Sequence, residues 1–214
     1  MKALVTGGLG FVGSNLVDKL IEQGYEVVVV DDLSSGKLEF KNPKASYVIE
    51  DFKVFLQSPD DSVDVVFHLA AEARIQPSFE MPLYTCENNS YGSAVVAEFA
   101  RKSGAKVVYA GSSSFYGGVY LNPYAFAKWQ GEEVFKMYSH VYDVPTGVAR
   151  FFNVYGPRNP LIGQYTPVVA IFEEQTKAGT ELTIIGDGEQ RRDFTHVYDI
   201  CDGLIAISKG DWRG

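Results

Sequence analysis

The chain has 214 residues, 46% hydrophobic and 21% charged, without a low-complexity run or a fixed-period repeat, a composition that supports one substantial core and excludes a mainly disordered protein. Nineteen Lys and Arg against 27 Asp and Glu leave a net charge of −8, which excludes a bulk electrostatic grip on nucleic acid or an anionic membrane. An anionic small ligand therefore needs local cations, and the two cysteines, Cys86 and Cys201, form neither a metal-spaced cluster nor a disulfide framework.

The opening MKALVTGG holds no apolar stretch of signal-peptide or membrane-spanning length, and no later window reaches that length; the expectation is a cytoplasmic protein with reduced thiols and no metal. KALVT at 2–6 reads as a strand, 12–23 as a helix and EVVVVDD at 26–32 as a second strand. Further strands are predicted at 46–50, 64–69, 106–110 and 145–151, with long helices over 82–103 and 124–142. Short apolar strands alternating with helices predict an α/β fold, a Rossmann-type doubly wound parallel sheet with helices on both faces. From Phe152 the segment FNVYGPRNPLIGQYTP is rich in Gly, Pro and Asn, and is followed by a predicted helix near 167–178, a strand at 181–185 and a helix near 198–208.

TGGLGFVG at 6–13 lies between the first strand and the first helix. Gly7 allows a tight turn, Gly10 lets backbone approach a pyrophosphate, and Gly13 lets helix and sheet pack closely. The helix N-terminus then offers free N–H groups to phosphate. Asp31, eighteen residues after Gly13 at the end of the second strand, is placed to accept from adenosine ribose hydroxyls and to repel a 2′-phosphate, which favours NAD over NADP. Residues 1–151 accordingly read as an NAD-binding domain. Residues 152–195 read as a substrate-facing region, and 152–214, which ends with the last helix, is not an independent domain.

GSSSFYG at 111–117 follows a strand, and YAFAK at 124–128 opens a helix. Tyr124 and Lys128, four residues apart, share a helical face. An ammonium beside a phenol lowers its pKa, so Tyr124 is expected to serve as a base near neutral pH. A serine at the strand's carboxyl end then holds the same substrate oxygen.

TGGLGFVGSNLV, VVVVDDLSSG, FHLAAEA, NNSYGS, YxxxK, RFFNVYGPR and IIGDGEQRRDFTHVYD occur in one order along nearly the whole chain. In that order the chain resembles the nucleotide-sugar epimerase and dehydratase branch of the extended short-chain dehydrogenase/reductase family. The resemblance implies a pyrophosphate turn of Gly7, Gly10, Phe11, Val12 and Gly13, with Asp31, Asp32, Ser35 and Gly36 about the adenosine ribose. It implies Asp51 and Phe52 beside adenine, Leu69, Ala70 and Ala71 lining the cofactor, and Asn89 as the asparagine of the middle helix. It makes Ser112, Tyr124 and Lys128 the catalytic set, the last two also holding the cofactor. Ser112, Asn153 and Arg192 would bind the substrate, and Arg158 is a further cation for its phosphates.

Within that branch, dehydratases carry an acidic pair after the catalytic hydroxyl residue, where this chain has Ser113 and Ser114. The resemblance therefore implies NAD-dependent epimerisation at C4 of a nucleotide sugar of the UDP-glucose/UDP-galactose type, through a transient 4-keto intermediate. The alternatives are an NAD- or nucleotide-binding module with little catalysis and another nucleotide-sugar oxidoreductase or dehydratase. Two departures bear on the choice: only twelve residues separate Ser112 from Tyr124, where relatives have about twice as many, and relatives continue beyond the final ISKGDWRG. A homodimer through the helices at 82–103 and 124–142 is also implied, with Tyr91, Val95, Phe99, Phe135 and Tyr138 as contacts; periodicity alone does not separate this from burial within the monomer.

Overall fold

The computed structural model describes residues 1–57, 62–160 and 168–213. Part of the segment rich in Gly, Pro and Asn, 161–167, lies outside the described residues, as does the first position of the helix expected near 167.

In chain order the first half runs β1 (Lys2–Thr6), α1 (Phe11–Glu22), β2 (Glu26–Asp31), β3 (Ser46–Ile49), α2 (Phe52–Phe55), β4 (Val65–His68), α3 (Ile75–Glu80), α4 (Pro82–Cys86) and α5 (Gly92–Ser103). Then come β5 (Lys106–Ser112), α6 (Ser114–Gly117), α7 (Pro123–Tyr142), β6 (Thr146–Phe151), β7 (Val154–Tyr155), α8 (Val168–Ala178), β8 (Thr195–His196) and α9 (Val197–Lys209). The six long strands form a parallel sheet in the order β3-β2-β1-β4-β5-β6. Strand order reverses at β1 and β4, so a crevice opens between their carboxyl ends, where ligands of doubly wound sheets bind.

Alternation along the strands builds two cores, one on each face. In β1, Ala3 and Val5 join Leu16 and Leu20 of α1 and Leu204 and Ile205 of α9, whereas Leu4 faces Val96 and Phe99 of α5 and Phe135 of α7. Helix α9 thus shares the core of the first 151 residues, across the boundary drawn at 152 from the sequence. Phe99 and Phe135 are interior to the monomer, which corrects their expected role as dimer contacts; Tyr91 remains exposed.

The helix expected over 82–103 is interrupted. A π turn at Glu87–Tyr91 separates α4 from α5 and adds a residue to one turn. It turns Asn89 onto the backbone of Glu72, donating to its carbonyl and accepting from its N–H at 2.9 Å each.

The strand expected at 181–185 does not form. A strand needs a ladder partner, and none pairs with this segment among the described residues; Ile184 and Ile185 are 65% and 84% exposed.

Candidate active site

The phosphate turn is built from backbone. Gly7 adopts φ +72°, and a Cβ there would stand 2.8 Å from the Ala70 nitrogen, so both conformation and space demand glycine. Gly13 sits so close to the Gly7 carbonyl that a Cβ would overlap it. Gly10 precedes α1 in an extended conformation, and no acidic side chain in the first turn offsets the helix's positive end.

Asp31 ties this turn to β2. Its Oδ2 accepts from the Leu9 N–H and its Oδ1 from the Leu33 N–H, both at 2.9 Å. Burial raises its pKa, opposed by these two bonds. Each oxygen keeps a lone pair for a further donor, the capacity that ribose hydroxyls require. Gly36 leaves room for this carboxylate: a Cβ would lie 2.6 Å from Asp31 Oδ1.

These residues open onto a cleft of about 540 Å³ that reaches from the glycine turn to Ser112, Tyr124 and Lys128. Phe11, Val12, Asp32, Ser35, Phe52, Leu69, Ala70, Ala71 and Asn153 also line it. Asp51 does not; it caps α2, accepting from the Lys53 N–H at 2.8 Å. Asn89 supports the Glu72 backbone from behind, and its neighbour Asn88 reaches the wall.

At the sheet's edge Ser112 ends β5, and its Oγ accepts from the Ser114 N–H at 3.2 Å and pairs with Ser114 Oγ at 2.9 Å. Asn122 caps α7 by accepting from the Ala125 N–H at 2.8 Å, and Pro123 starts the helix. The Tyr124 N–H donates to the buried Ser78 Oγ at 3.2 Å. So aligned, Tyr124 lines the same cleft as Ser112, whose side chain acts on the phenol. The twelve-residue link therefore does bring the two together.

Electrostatics at this end differ from the expectation. Burial raises the Tyr124 pKa; the Ser112 bond lowers it and the Glu72 charge raises it further. Lys128, almost entirely buried, is pushed down to about 7 by desolvation, against the opposing charge of Glu132. Its Nζ lies 4.3 Å from the Tyr109 ring centroid. This corrects the expectation that an adjacent ammonium lowers Tyr124: burial dominates, and it penalises the charged form of both Tyr124 and Lys128. His68, beneath them, donates to or accepts from Thr6 Oγ1 at 2.8 Å and is pushed down to about 3 by burial and then by Lys128.

The expected substrate cations lie elsewhere. Arg192 is exposed and donates to the Arg191 carbonyl at 2.7 Å. Without the strand at 181–185, no regular element carries it to the cleft. Arg158 pairs with Asp18 at 2.8 Å. The Asn153 side chain donates to the Asp193 carbonyl at 2.8 Å.

Glu72, Arg74, Asn159 and Pro160 line the cleft and were not singled out in the sequence. The signal for the first two was present: AAEAR follows β4 directly, at the carboxyl edge where such sheets bind ligands. Arg74 is the arginine among the described residues that line the cleft.

Residues 3–211 match the family described as "NAD dependent epimerase/dehydratase family". A putative UDP-glucose 4-epimerase of Methanocaldococcus jannaschii is 36% identical over 96% of this chain and 73% of its own length. UDP-glucuronic acid decarboxylase 1 of Arabidopsis thaliana is 32% identical over the full chain and 53% of its own length. The crystal structure of UDP-glucose 4-epimerase from Thermotoga maritima, solved with UDP-glucose, superposes with a TM-score of 0.88 at 36% identity, covering 99% of this chain and 74% of that one. The glycine cradle, the α1 N-terminus and the lone pairs of Asp31 fit the pyrophosphate and ribose of NAD.

Proposed function

Because the chain belongs to the NAD-dependent epimerase/dehydratase family, we propose that it epimerises C4 of a nucleotide sugar of the UDP-glucose/UDP-galactose type through a transient 4-keto intermediate. The observation that carries this reading is the placement of Ser112, Tyr124 and Lys128 on the same cleft as the glycine turn and Asp31. The turn and Asp31 would hold NAD, which when bound supplies a reversible hydride store. Tyr124 takes the C4 hydroxyl proton and returns it, while Ser112 holds the same oxygen. Lys128, near half-protonation at pH 7, brings positive charge to this end when protonated.

Asn153, in the cleft wall, and Arg74 are the residues we assign to the substrate's polar and anionic groups; Arg192 takes part only if the 180s segment turns inward. We also propose a homodimer through α4, the π turn and α7, supported by exposed Leu83, Tyr91, Met137 and Val141. No helix among the described residues is long and apolar enough to cross a membrane.

One observation favours a second reading, a decarboxylase or dehydratase. Glu72 supplies a carboxyl group whose charge acts on Tyr124, in place of the acidic pair missing after Ser112. A panel of UDP-, GDP- and dTDP-sugars, with bound nucleotide identified by mass, tests both readings. Interconversion of C4 epimers with NAD unconsumed supports the first, whereas a keto product or released CO₂ supports the second. Bound NAD without turnover on any sugar would leave a binding module.

A further inference from the structure

We propose that the ion pair between Glu132 and Arg150 is the positioning element of the active centre, fixing Lys128 on α7 and Ser112 at the end of β5 relative to each other. The proposal rests on the reading of Ser112, Tyr124 and Lys128 as the reacting set.

Glu132 lies one helical turn beyond Lys128 and is 1% exposed. Its Oε2 is 2.7 Å from Arg150 Nη2, and Arg150 Nε faces Oε1 and Oε2 at 3.2 and 3.1 Å. The pair lies directly against the backbone before Ser112. A Cβ on Gly111 would stand 2.8 Å from Glu132 Oε1 and 3.2 Å from Arg150 Cγ.

The same guanidinium also holds the short segment after Ser112. It lies 3.5 Å from the Phe115 ring centroid, and its Nη1 donates to Tyr116 Oη at 3.2 Å. Phe115 and Tyr116 belong to α6, whose first residue, Ser114, bonds Ser112 Oγ twice. One planar fork thus grips a carboxylate along one edge and an aromatic face on the other, which an ammonium cannot do.

Several groups face Lys128 or its helix neighbours. His68 comes from β4, Tyr109 from β5, and Tyr124 and Glu132 from α7 itself; Glu72 acts on Tyr124 from the loop after β4. Glu98 of α5, which packs on α7, is engaged by Arg101 and Lys102, and Arg150 comes from β6. Among these, Glu132 is the carboxylate whose charge acts on Lys128, and Arg150 offsets it.

The test follows two signals that need no sugar substrate, so it stays readable whether or not turnover is found. Lysine labelled with ¹³C at Cε reports Lys128, assigned by loss of its signal in Lys128→Met; tyrosine labelled at Cζ reports Tyr124, assigned by Tyr124→Phe. Glu132→Gln is expected to lower the Lys128 midpoint by about one unit, and Arg150→Met, which removes a guanidinium that acts on Lys128 only by offsetting that carboxylate, to raise it by clearly less. If Arg150→Met does not fold, the double variant Glu132→Gln/Arg150→Met, which has no unpaired charge, is expected to fold and to lower the midpoint. Arg150→Lys keeps the charge but not the grip on α6, and is expected to move the Tyr124 signal as Ser112→Ala does. An ion pair that served the fold alone would cost stability in these variants and move neither signal, and that result would overturn the proposal.

Discussion

Ser112 and Tyr124 line one cleft, although only twelve residues of chain join them. Two separate constraints place them there: Ser114 fixes the serine hydroxyl from α6, and Ser78 accepts the backbone N–H of Tyr124 at the start of α7. Tyr124→Phe should therefore leave the fold intact and lower turnover per NAD-loaded molecule by roughly 10²–10⁴-fold. Parallel measurement of rate and nucleotide content checks this, and full turnover by the variant would remove the proposed base.

Lys128 makes stability depend on pH with a definite sign. Its folded pKa, about 7, lies below the usual lysine value of about 10.4, so between those values the unfolded chain binds the extra proton. Stability attributable to this group then rises with pH across that window and is flat below it. Urea midpoints at several pH values for the wild type and Lys128→Met should differ in slope above pH 7, the wild type gaining more.

Asp31 is predicted to set the cofactor. In Asp31→Ala the ribose acceptor is lost and a 2′-phosphate is no longer repelled. Binding measured by calorimetry should weaken for NAD by roughly tenfold or more, about the 1.4 kcal/mol of one charged hydrogen bond, and NADP should gain relative to it.

The two thiols should behave differently. Burial pushes the Cys201 thiol up to about 12 and encloses it between α1 and the sheet, whereas Cys86 is partly exposed. A disulfide reagent is expected to titrate Cys86 in the native protein and Cys201 only after unfolding.

The Rossmann architecture was legible because its signals are local: the alternation of short apolar strands with helices, and glycines whose spacing follows from backbone clearance at Gly7 and Gly13. The clustering of the proposed reacting set was legible for the same reason, since Tyr124 and Lys128 share one helical face and line one cleft. Sequence could not show the ionisation of that set, which depends on burial that brings Tyr109, His68 and Glu132 around Lys128. It also could not place Arg192, because a strand at 181–185 forms only if a partner strand lies beside it. Glu132 and Arg150, eighteen residues apart, carry no motif; β-strand register and helix phase alone bring them together.

In the proposed epimerisation the carbon oxidised is the carbon reduced. UDP-galactose deuterated at C4 tests it in one NMR experiment on the purified protein. Return of the hydride to the carbon it left gives UDP-glucose with deuterium still at C4 and none in the solvent. Label released to water, a persistent keto sugar, or unchanged UDP-galactose with NAD bound would contradict it.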